Sequence, residues 1–409
     1  MEPIYFELNN GIKIVFKHTK SSVAHCGFVI NTGSRDENLA QNGITHFIEH
    51  ALFKGTSKRK SHHILNRLDN VGGEINAYTT KENTSVYASF MKTHFDRATD
   101  LLTDILFNSV FPKEELEKEK AVIIDEIYSY QDTPFEQIYD DFEEMAFKDH
   151  ALSMNILGSE KSVKKITREN ILDYISKNYA TDQIVFSIVG DFTEAKIKKM
   201  ASKYLDNIPT KKSSTKRSAF NNYQVQNKTE ERDVQQSHCM IGNIAYGTHH
   251  KKKKGFILLN NILGGPAMNS RLNMGIREKY GFTYNIESNY TIYSDTGLFN
   301  IYLGTDTKYL NKSIDLVNKE LKKLSIKQIS SAQLHKAKQQ LIGQLALSEE
   351  NNCNVMLSLG KSILLYNRID SLETIHDKIN AITATELQDI ANEVFSPNNL
   401  SSLIYQQQN

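Results

Sequence analysis

Apolar positions along the first half of the chain follow two spacings, one typical of strands and one of helices. The alternating runs at residues 5–8 and 12–16 flank Asn9-Asn10-Gly11, a turn sequence, and together they predict a β-hairpin. Strand-like runs follow at residues 25–31 and 86–90, and helical periodicity occurs at residues 44–53, 95–106, 113–130 and 168–178. Hairpins with helices between them predict an α+β fold, in which an antiparallel-rich sheet carries helices packed on one face.

The pattern of the first half returns in the second half. Asp100-Leu101-Leu102 is echoed by Asp315-Leu316-Val317 at an offset of 215 (315 − 100). Ile166-Thr167 returns as Ile382-Thr383 at an offset of 216 (382 − 166). Because the two offsets nearly agree, the sequence predicts two tandem, duplicated halves of the same fold.

A polar stretch separates these halves. Residues 209–232 have few apolar anchors and contain a basic cluster, formed by Lys211, Lys212, Lys216 and Arg217. We interpret the stretch as a solvated linker, and contact with an acidic partner is the alternative. The predicted organisation is a first half at residues 1–208, a linker at 209–232 and a second half at 233–409.

Composition argues against several classes of protein. The 49 Lys and Arg residues nearly balance the 48 Asp and Glu residues, and a net charge of +1 argues against a nucleic-acid-binding protein. No apolar run approaches the roughly 18 residues of a membrane-spanning helix, and the first residues lack the features of a signal peptide. Cys26, Cys239 and Cys353 lie far apart, which argues against a disulfide framework. We therefore expect no nucleic-acid or membrane partner and a location in a reducing cytoplasm.

The segment Thr45-His46-Phe47-Ile48-Glu49-His50 contains the strongest chemical signal. On a helix, His46 and His50 lie about 40° apart on one face, where two imidazoles can bind one cation such as Zn²⁺. Glu49 lies on the adjoining flank, where a carboxylate can take a proton from an attacking water and pass it to a leaving amine. The alternative is a surface helix with two ordinary histidines.

A catalytic zinc usually has three protein ligands and one open position, so a third ligand is expected elsewhere. Glu126 lies on a predicted helix with Val122 and Ile123 one turn before it and Tyr130 one turn after it. A carboxylate in such an apolar setting is costly unless it is paired or binds a metal. Glu119, seven residues earlier on the same stripe, could orient a ligand. The alternative for Glu126 is a surface carboxylate.

These motifs together resemble the pitrilysin/insulinase family of zinc metallopeptidases. His46-x-x-Glu49-His50, followed after 76 positions (126 − 50) by Glu126, resembles the inverted zinc motif of that family. The resemblance extends to further segments: Gly43-Ile44-Thr45, Leu52-Phe53-Lys54-Gly55-Thr56, Gly72-Gly73-x-x-Asn76-Ala77, Glu119 to Glu126, Ser270-Arg271-Leu272 and Arg277 to Tyr284. It covers essentially the whole chain and points to the shorter, two-domain branch of the family.

The resemblance implies a zinc endopeptidase or oligopeptidase with one zinc ion per chain, held by His46, His50 and Glu126. Glu49 would activate a zinc-bound water, and Glu119 would be the accessory glutamate. The resemblance further implies that Arg277 and Tyr284 bind a substrate carbonyl or oxyanion. It also implies that Asn76 and Ala77 lie beside the bound peptide.

The second half has lost the equivalent metal ligands. At an offset of 218, Glu119 aligns with Ala337 and Glu126 aligns with Gln344, and no histidine pair replaces His46 and His50. In the family the metal-free half closes a substrate chamber, which implies unfolded peptides as substrates. A homodimer is the expectation because one chain carries all of these motifs, and the absence of a targeting segment favours the bacterial cytoplasm.

Three other functions remain open at this stage. The first is a specific processing peptidase that removes presequences from precursor proteins. The second is a non-catalytic partner subunit, which the intact motifs disfavour. The third is a zinc hydrolase that acts on a bond other than a peptide bond.

Overall fold

The structure is a computed structural model that describes residues 2–408. Its strands are β1 (Ile4–Glu7), β2 (Lys13–His18), β3 (Val23–Ile30), β4 (Glu74–Thr79), β5 (Thr84–Met91), β6 (Ile184–Gly190), β7 (Asn227–Arg232), β8 (Ser237–Tyr246), β9 (Thr283–Ile292), β10 (Thr296–Thr305) and β11 (Ser401–Gln407). Its α-helices are α1 (Ile44–Ala51), α2 (Ser61–Asp69), α3 (Phe95–Phe107), α4 (Lys113–Gln131), α5 (Pro134–Ala146), α6 (Glu160–Val163), α7 (Arg168–Asn178), α8 (Glu194–Leu205), α9 (Lys253–Gly264), α10 (Leu310–Ile326), α11 (Ser331–Ser348), α12 (Asn352–Tyr366), α13 (Leu372–Asn380) and α14 (Ala384–Val394).

The elements predicted from local patterns are present. The first hairpin forms as an antiparallel β1–β2 pair with Ile4 opposite Phe16, and Gly11 in its turn has a left-handed backbone with φ of 92°. The predicted helix at residues 168–178 is α7. Its first turn is stabilised by the Thr167 side chain, which accepts a hydrogen bond from the Asn170 N–H. Hydrophobic spacing therefore predicted these elements correctly.

The contacts within the chain define two compact units, and each unit is discontinuous in sequence. Unit 1 comprises the chain from its N-terminus to Ile127, Met154–Arg217 and Leu347–Ser371. Unit 2 comprises Tyr128–Ser153, Ser218–Ala346 and Leu372 to the C-terminus. This division differs from the predicted boundary at residues 209–232, because two segments are exchanged between the halves of the sequence.

Unit 1 is built on a six-stranded sheet in the order β1-β2-β6-β3-β5-β4. All neighbouring pairs are antiparallel except β2 and β6, which are parallel. One face of the sheet, including Ile14, Cys26 and Phe28, forms the main core with residues of α1 to α4 and α6 to α8.

Unit 2 repeats this arrangement with a five-stranded sheet in the order β7-β11-β8-β10-β9. Here β7 and β11 are the parallel pair, and the remaining neighbours are antiparallel. The main core lies between this sheet and helices α9 to α11, α13 and α14. The shared strand order confirms the predicted duplication and the α+β class.

The exchanged segments each add one helix to the opposite face of a sheet. In unit 1, helix α12 packs its Met356, Leu359 and Ile363 against Val15, Val185 and Val189. In unit 2, helix α5 packs its Ile138, Phe142 and Ala146 against strand residues that include Met240, Leu298 and Tyr405. The prediction of helices on one face therefore describes the main core but not these two helices.

The segment predicted to be a solvated linker contains ordered structure. Asn227–Arg232 form strand β7, which pairs in parallel with β11. Arg217 is largely buried in unit 1, where its guanidinium is bonded to the Asp36 carboxylate through Nε–Oδ1 and Nη2–Oδ2 contacts of 2.8 Å each. The basic residue that suggested solvation instead anchors the end of unit 1.

Among residues 2–408, no helix has the length and apolar composition needed to cross a membrane.

Candidate metal centre

Most of the surface of helix α1 is buried in unit 1, and the helix therefore places the histidine pair inside this unit. Ile44, Phe47 and Ile48 belong to the main core. His46 is therefore buried, whereas Glu49 and His50 are half-buried at the edge of the core. The His46 and His50 rings lie 4.6 Å apart, as expected for residues four apart on a helix.

Helix α4 supplies the two carboxylates, and its apolar anchors are Leu116, Ile123 and Ile127. Glu119 and Glu126 are seven residues apart, so they lie on one stripe of the helix. The Glu119 side chain is only 6% exposed, whereas that of Glu126 is 33% exposed.

The prediction that Glu126 lies in an apolar setting is wrong, although the residue does lie beside the histidines. Val122 is 49% exposed and Tyr130 is 38% exposed, so the predicted apolar surroundings do not exist on that side of α4. Only Ile123 among the three apolar neighbours is buried. Glu126 reaches the histidines from a partly solvated helix face.

The structure brings three candidate ligands together. Glu126 Oε2 lies 3.7 Å from His46 Nε2 and 3.5 Å from His50 Nε2. One donor atom of each residue lies within 4.8 Å of the other two. Ligands about 2.0–2.1 Å from a tetrahedral zinc are roughly 3.3 Å apart, so small side-chain movements would let these three hold the ion. The donor set of two imidazoles and one carboxylate also suits zinc.

Glu119 orients His50 from the side opposite to Glu126. His50 Nδ1 lies 2.9 Å from Glu119 Oε1, and Lys54 Nζ lies 2.6 Å from Glu119 Oε2. Burial would raise the pKa of Glu119, but the bonds from His50 and Lys54 outweigh it and lower that pKa. An ionised Glu119 accepts the proton on Nδ1, so Nε2 is the nitrogen of His50 that offers its lone pair to a metal once it has released its own proton.

The protonation of His46 also suits metal binding. Burial, together with the nearby positive charge of His50, lowers the pKa of His46 to about 3. The imidazole is therefore neutral at ordinary pH, which is the form that binds metals. For His50, burial alone would lower the pKa, but Glu119, Glu126 and Glu49 raise it overall.

Glu49 is positioned as a carboxylate with an unused oxygen. Within residues 2–408, its Oε2 atom is buried and has no hydrogen-bond partner. Burial raises the pKa of Glu49, while the nearby positive charge of His50 holds it lower than burial alone would. A buried oxygen without a protein partner is suited to hold a water molecule or a substrate group.

Asn76 and Ala77 lie on β4, the terminal strand of the unit 1 sheet, which packs beside α1. They pair with Tyr87 and Val86 of β5 on one side. Their other side is the edge of the sheet, where an extended peptide could add as a further strand.

Arg277 and Tyr284 lie in unit 2, and their proposed catalytic roles remain predictions. Arg277 is the penultimate residue of a π-helical segment, Asn273–Glu278, and Gly281 with φ of 64° makes the break before β9. Tyr284 is 85% exposed, so its side chain does not belong to the core of unit 2. Arg277 lines a cleft of about 460 Å³ and donates a 3.4 Å hydrogen bond to Asn273.

Sequence reasoning missed Glu37, Lys54 and Thr79. Lys54 stands within a motif flank, but its contact with Glu119 depends on how α1 and α4 pack together. Thr79 lies on β4, which packs beside α1, and within residues 2–408 its buried hydroxyl has no hydrogen-bond partner. Glu37 contacts the first turn of α1 from a preceding loop, and no local spacing indicates that return.

Comparison with known proteins places this chain among peptidases. Residues 13–160 match the family described as insulinase, peptidase family M16, and residues 165–341 match the domain described as peptidase M16 inactive domain. An uncharacterised zinc protease of Bacillus subtilis is 32% identical over 403 residues, which cover 98% of this chain and 97% of that protein.

Two further relatives extend the comparison. The mitochondrial-processing peptidase subunit beta of Saccharomyces cerevisiae is 30% identical over 398 residues, covering 93% of this chain and 86% of that subunit. The crystal structure of a protease from Helicobacter pylori superposes with a TM-score of 0.91 over 99% of both chains at 20% identity, and therefore shows a shared fold.

Proposed function

The chain belongs to the insulinase family of peptidases, peptidase family M16, and on that premise we propose that it is a zinc-dependent endopeptidase that hydrolyses unfolded peptides. The observation that carries this proposal is the convergence of His46, His50 and Glu126, with the unpaired oxygen of Glu49 beside them. One zinc ion per chain is proposed to bind these three residues.

The residues of the chain would divide the chemistry between them. A bound zinc ion supplies Lewis acidity that lowers the pKa of water and polarises a carbonyl group. Glu49 would accept the proton of the attacking water and deliver it to the amine that leaves when the peptide bond breaks. Glu119 would keep the Nδ1 proton of His50 in place, and neutral His46 needs no proton release before it binds the metal.

Binding of the peptide is proposed to use the edge strand β4. Asn76 and Ala77 offer backbone groups to an extended chain, which gives affinity with little sequence selection. Arg277 and Tyr284 are proposed to donate hydrogen bonds to a substrate carbonyl or oxyanion, a role that rests on the family resemblance. The metal-free half is proposed to close a chamber that admits flexible peptides, in keeping with Ala337 and Gln344 at the positions of the lost ligands.

Specific removal of presequences is the second candidate. It is favoured by the 30% identity to a mitochondrial-processing peptidase subunit beta. Mass spectrometry of a random peptide mixture separates the two functions: a general peptidase cuts many sequences, whereas a processing enzyme cuts few. Chelator-treated enzyme is the control for both.

A homodimer in the bacterial cytoplasm completes the proposal. One chain contains the candidate metal centre and also Arg277 and Tyr284, so no different subunit needs to supply them. Light scattering after size exclusion distinguishes a single chain of 46.6 kDa from a pair.

Metal analysis tests the site itself. We expect about one zinc per wild-type chain and its loss in His50→Ala, because two remaining donors hold zinc weakly. The matched control is His62→Ala, which removes an exposed histidine on α2 and should leave zinc unchanged. Full zinc occupancy in His50→Ala would contradict the ligand assignment.

A further inference from the structure

Helix α1 is short, although it contains both candidate histidine ligands. It has eight residues, so its first turn makes up about half of it. His46 lies in that first turn and His50 lies in the last. Fraying of the first turn would therefore change the geometry between the two imidazoles.

The residue before this helix cannot cap it. Gly43 has a left-handed backbone with φ of 89° and has no side chain to accept a hydrogen bond. A Cβ atom at this position would lie 2.6 Å from the Leu157 carbonyl oxygen and 2.9 Å from the Gly158 Cα. The usual capping residues Ser, Thr, Asp and Asn are thus excluded, and the first N–H groups need an acceptor from elsewhere.

Glu37 provides that acceptor. The Gly43 N–H donates to Glu37 Oε2 and the Thr45 N–H donates to Glu37 Oε1, each at 2.8 Å. Asn42 Nδ2 donates a further bond of 3.1 Å to Oε2. Glu37 is only 7% exposed, so these groups, rather than water, satisfy its carboxylate. Burial raises the pKa of Glu37 to about 7, while the bonds from Thr45, Gly43 and Asn42 favour the ionised form, whose negative charge also interacts favourably with the helix dipole.

The loop that carries Glu37 is itself fixed. The neighbouring Asp36 carboxylate is held by the two bonds from Arg217 and accepts a 3.0 Å bond from the Gly33 N–H. The Thr45 hydroxyl donates to the Tyr174 hydroxyl at 2.8 Å, which connects the first turn of α1 to α7. Glu37 is thus held in a fixed position while it accepts hydrogen bonds from the start of α1.

We propose that Glu37 is a positioning residue for the metal centre, because its carboxylate fixes the first turn of α1 and thereby the separation of His46 and His50. This inference rests on the proposed zinc function. Glu37 holds backbone amides that precede the ligands and takes no part in the chemical steps.

The variant Glu37→Gln tests the inference with little change of volume. Its NH₂ group would face N–H donors, so one of the two backbone bonds is lost. We expect zinc affinity, measured by competition with a fluorescent chelator, to fall by about 10- to 100-fold, the range for residues that support metal ligands. In the metal-free protein, the Thr45 amide should exchange its hydrogen faster than in wild type.

Asp104→Asn is the matched control. Asp104 is an equally buried carboxylate of unit 1 that accepts a 2.7 Å bond from the Thr56 hydroxyl and pairs with Arg59. The Asp104→Asn variant should have a lower melting temperature and an unchanged zinc Kd. Should Glu37→Gln not fold even with zinc, Glu37→Asp replaces it with the same expectation, because the shorter side chain cannot span both amides.

The outcomes distinguish the positioning role of Glu37 from the proposed zinc function. Weaker zinc binding in the Glu37 variant but not in Asp104→Asn supports the positioning role. A wild-type zinc Kd and wild-type exchange at Thr45 in the Glu37 variant would overturn it and leave the proposed function intact. Absence of zinc binding in the wild-type protein would overturn the proposed function instead.

Discussion

Two carboxylates flank the same pair of histidines, and their surroundings give them opposite tendencies. Burial raises the pKa of Glu49, which has one oxygen without a partner among the described residues. Bonds from His50 and Lys54 lower the pKa of Glu119 despite its burial. The first environment suits a group that takes up and releases a proton, and the second suits a permanent anion.

Glu49→Gln should therefore separate metal binding from catalysis. The amide cannot accept a proton from water, so peptide hydrolysis should fall by about 10²- to 10⁴-fold, the contribution typical of a general base. Zinc content should remain near wild type, because Glu49 is not among the three converging donors. Turnover of a fluorogenic peptide within a few-fold of wild type would exclude Glu49 as the base.

His238 predicts a pH dependence of stability that is independent of the metal centre. It is buried on β8, and its Nδ1 lies 2.8 Å from the Tyr302 hydroxyl. Burial lowers the pKa of His238, so the unfolded chain binds a proton more readily than the folded chain. This residue's contribution to stability is then present above the unfolded pKa of about 6.5 and is lost as the pH falls through the window below it.

The measurement compares wild type with His238→Gln by chemical denaturation between pH 5 and pH 8. The stability difference between the two proteins should change with pH below about 6.5 and stay level above it. A difference that is constant over the whole range would show that His238 titrates alike in the folded and unfolded states.

At the scale of elements, close packing decides the effect of two helical glycines. A Cβ on Gly360 of α12 would lie 2.6 Å from Val29 Cγ2, whereas a Cβ on Gly343 of α11 would meet nothing within 4 Å. Both residues are inside α-helices, so alanine improves the intrinsic helix propensity by about 1 kcal/mol at either position.

The two substitutions should therefore have opposite signs. Gly343→Ala should stabilise the protein by about 0.5–1 kcal/mol. Gly360→Ala should destabilise it by about 1–3 kcal/mol, because overpacking against the β-branched Val29 outweighs the propensity gain. Melting temperatures of the two variants measure this, and a rise in both would mean that α12 can move away from the sheet at no cost.

At the scale of the whole molecule, the exchanged helices make each half of the sequence dependent on the other half. A fragment of residues 1–217 lacks α12, and Val15, Val185 and Val189, all fully buried in the intact chain, would lose their cover. At about 1.5–3 kcal/mol for each valine, the loss is comparable with the 5–15 kcal/mol of a typical domain.

We expect this fragment to aggregate or to melt well below the intact chain. A synthetic peptide of residues 347–371 added in trans should raise the melting temperature of the fragment. The same peptide carrying Gly360→Leu is the matched control, because its side chain cannot fit against Val29. Equal stability of the fragment with and without the peptide would show that α12 is dispensable for unit 1.

The sequence by itself determined the features that depend on local spacing. The first hairpin turn and the amphipathic periodicity specify their elements because their interactions lie within a few residues. The duplication was visible for the same reason, since each half repeats one local pattern. The convergence of His46 and His50 follows from helical geometry alone. Glu126 was a candidate from its expected apolar neighbours, two of which are exposed, and the family resemblance supported it independently.

Only the tertiary structure decided the rest, because those interactions join segments far apart in sequence. Spacing along α4 could not show that Val122 and Tyr130 face solvent or that Glu119 is the buried carboxylate. Composition suggested that Arg217 is solvated, whereas its guanidinium binds the Asp36 carboxylate, far away in sequence, and holds the end of unit 1 in place. The exchange of α5 and α12 and the cap from Glu37 likewise depend on which surfaces meet after folding, and no periodicity along the chain records that choice.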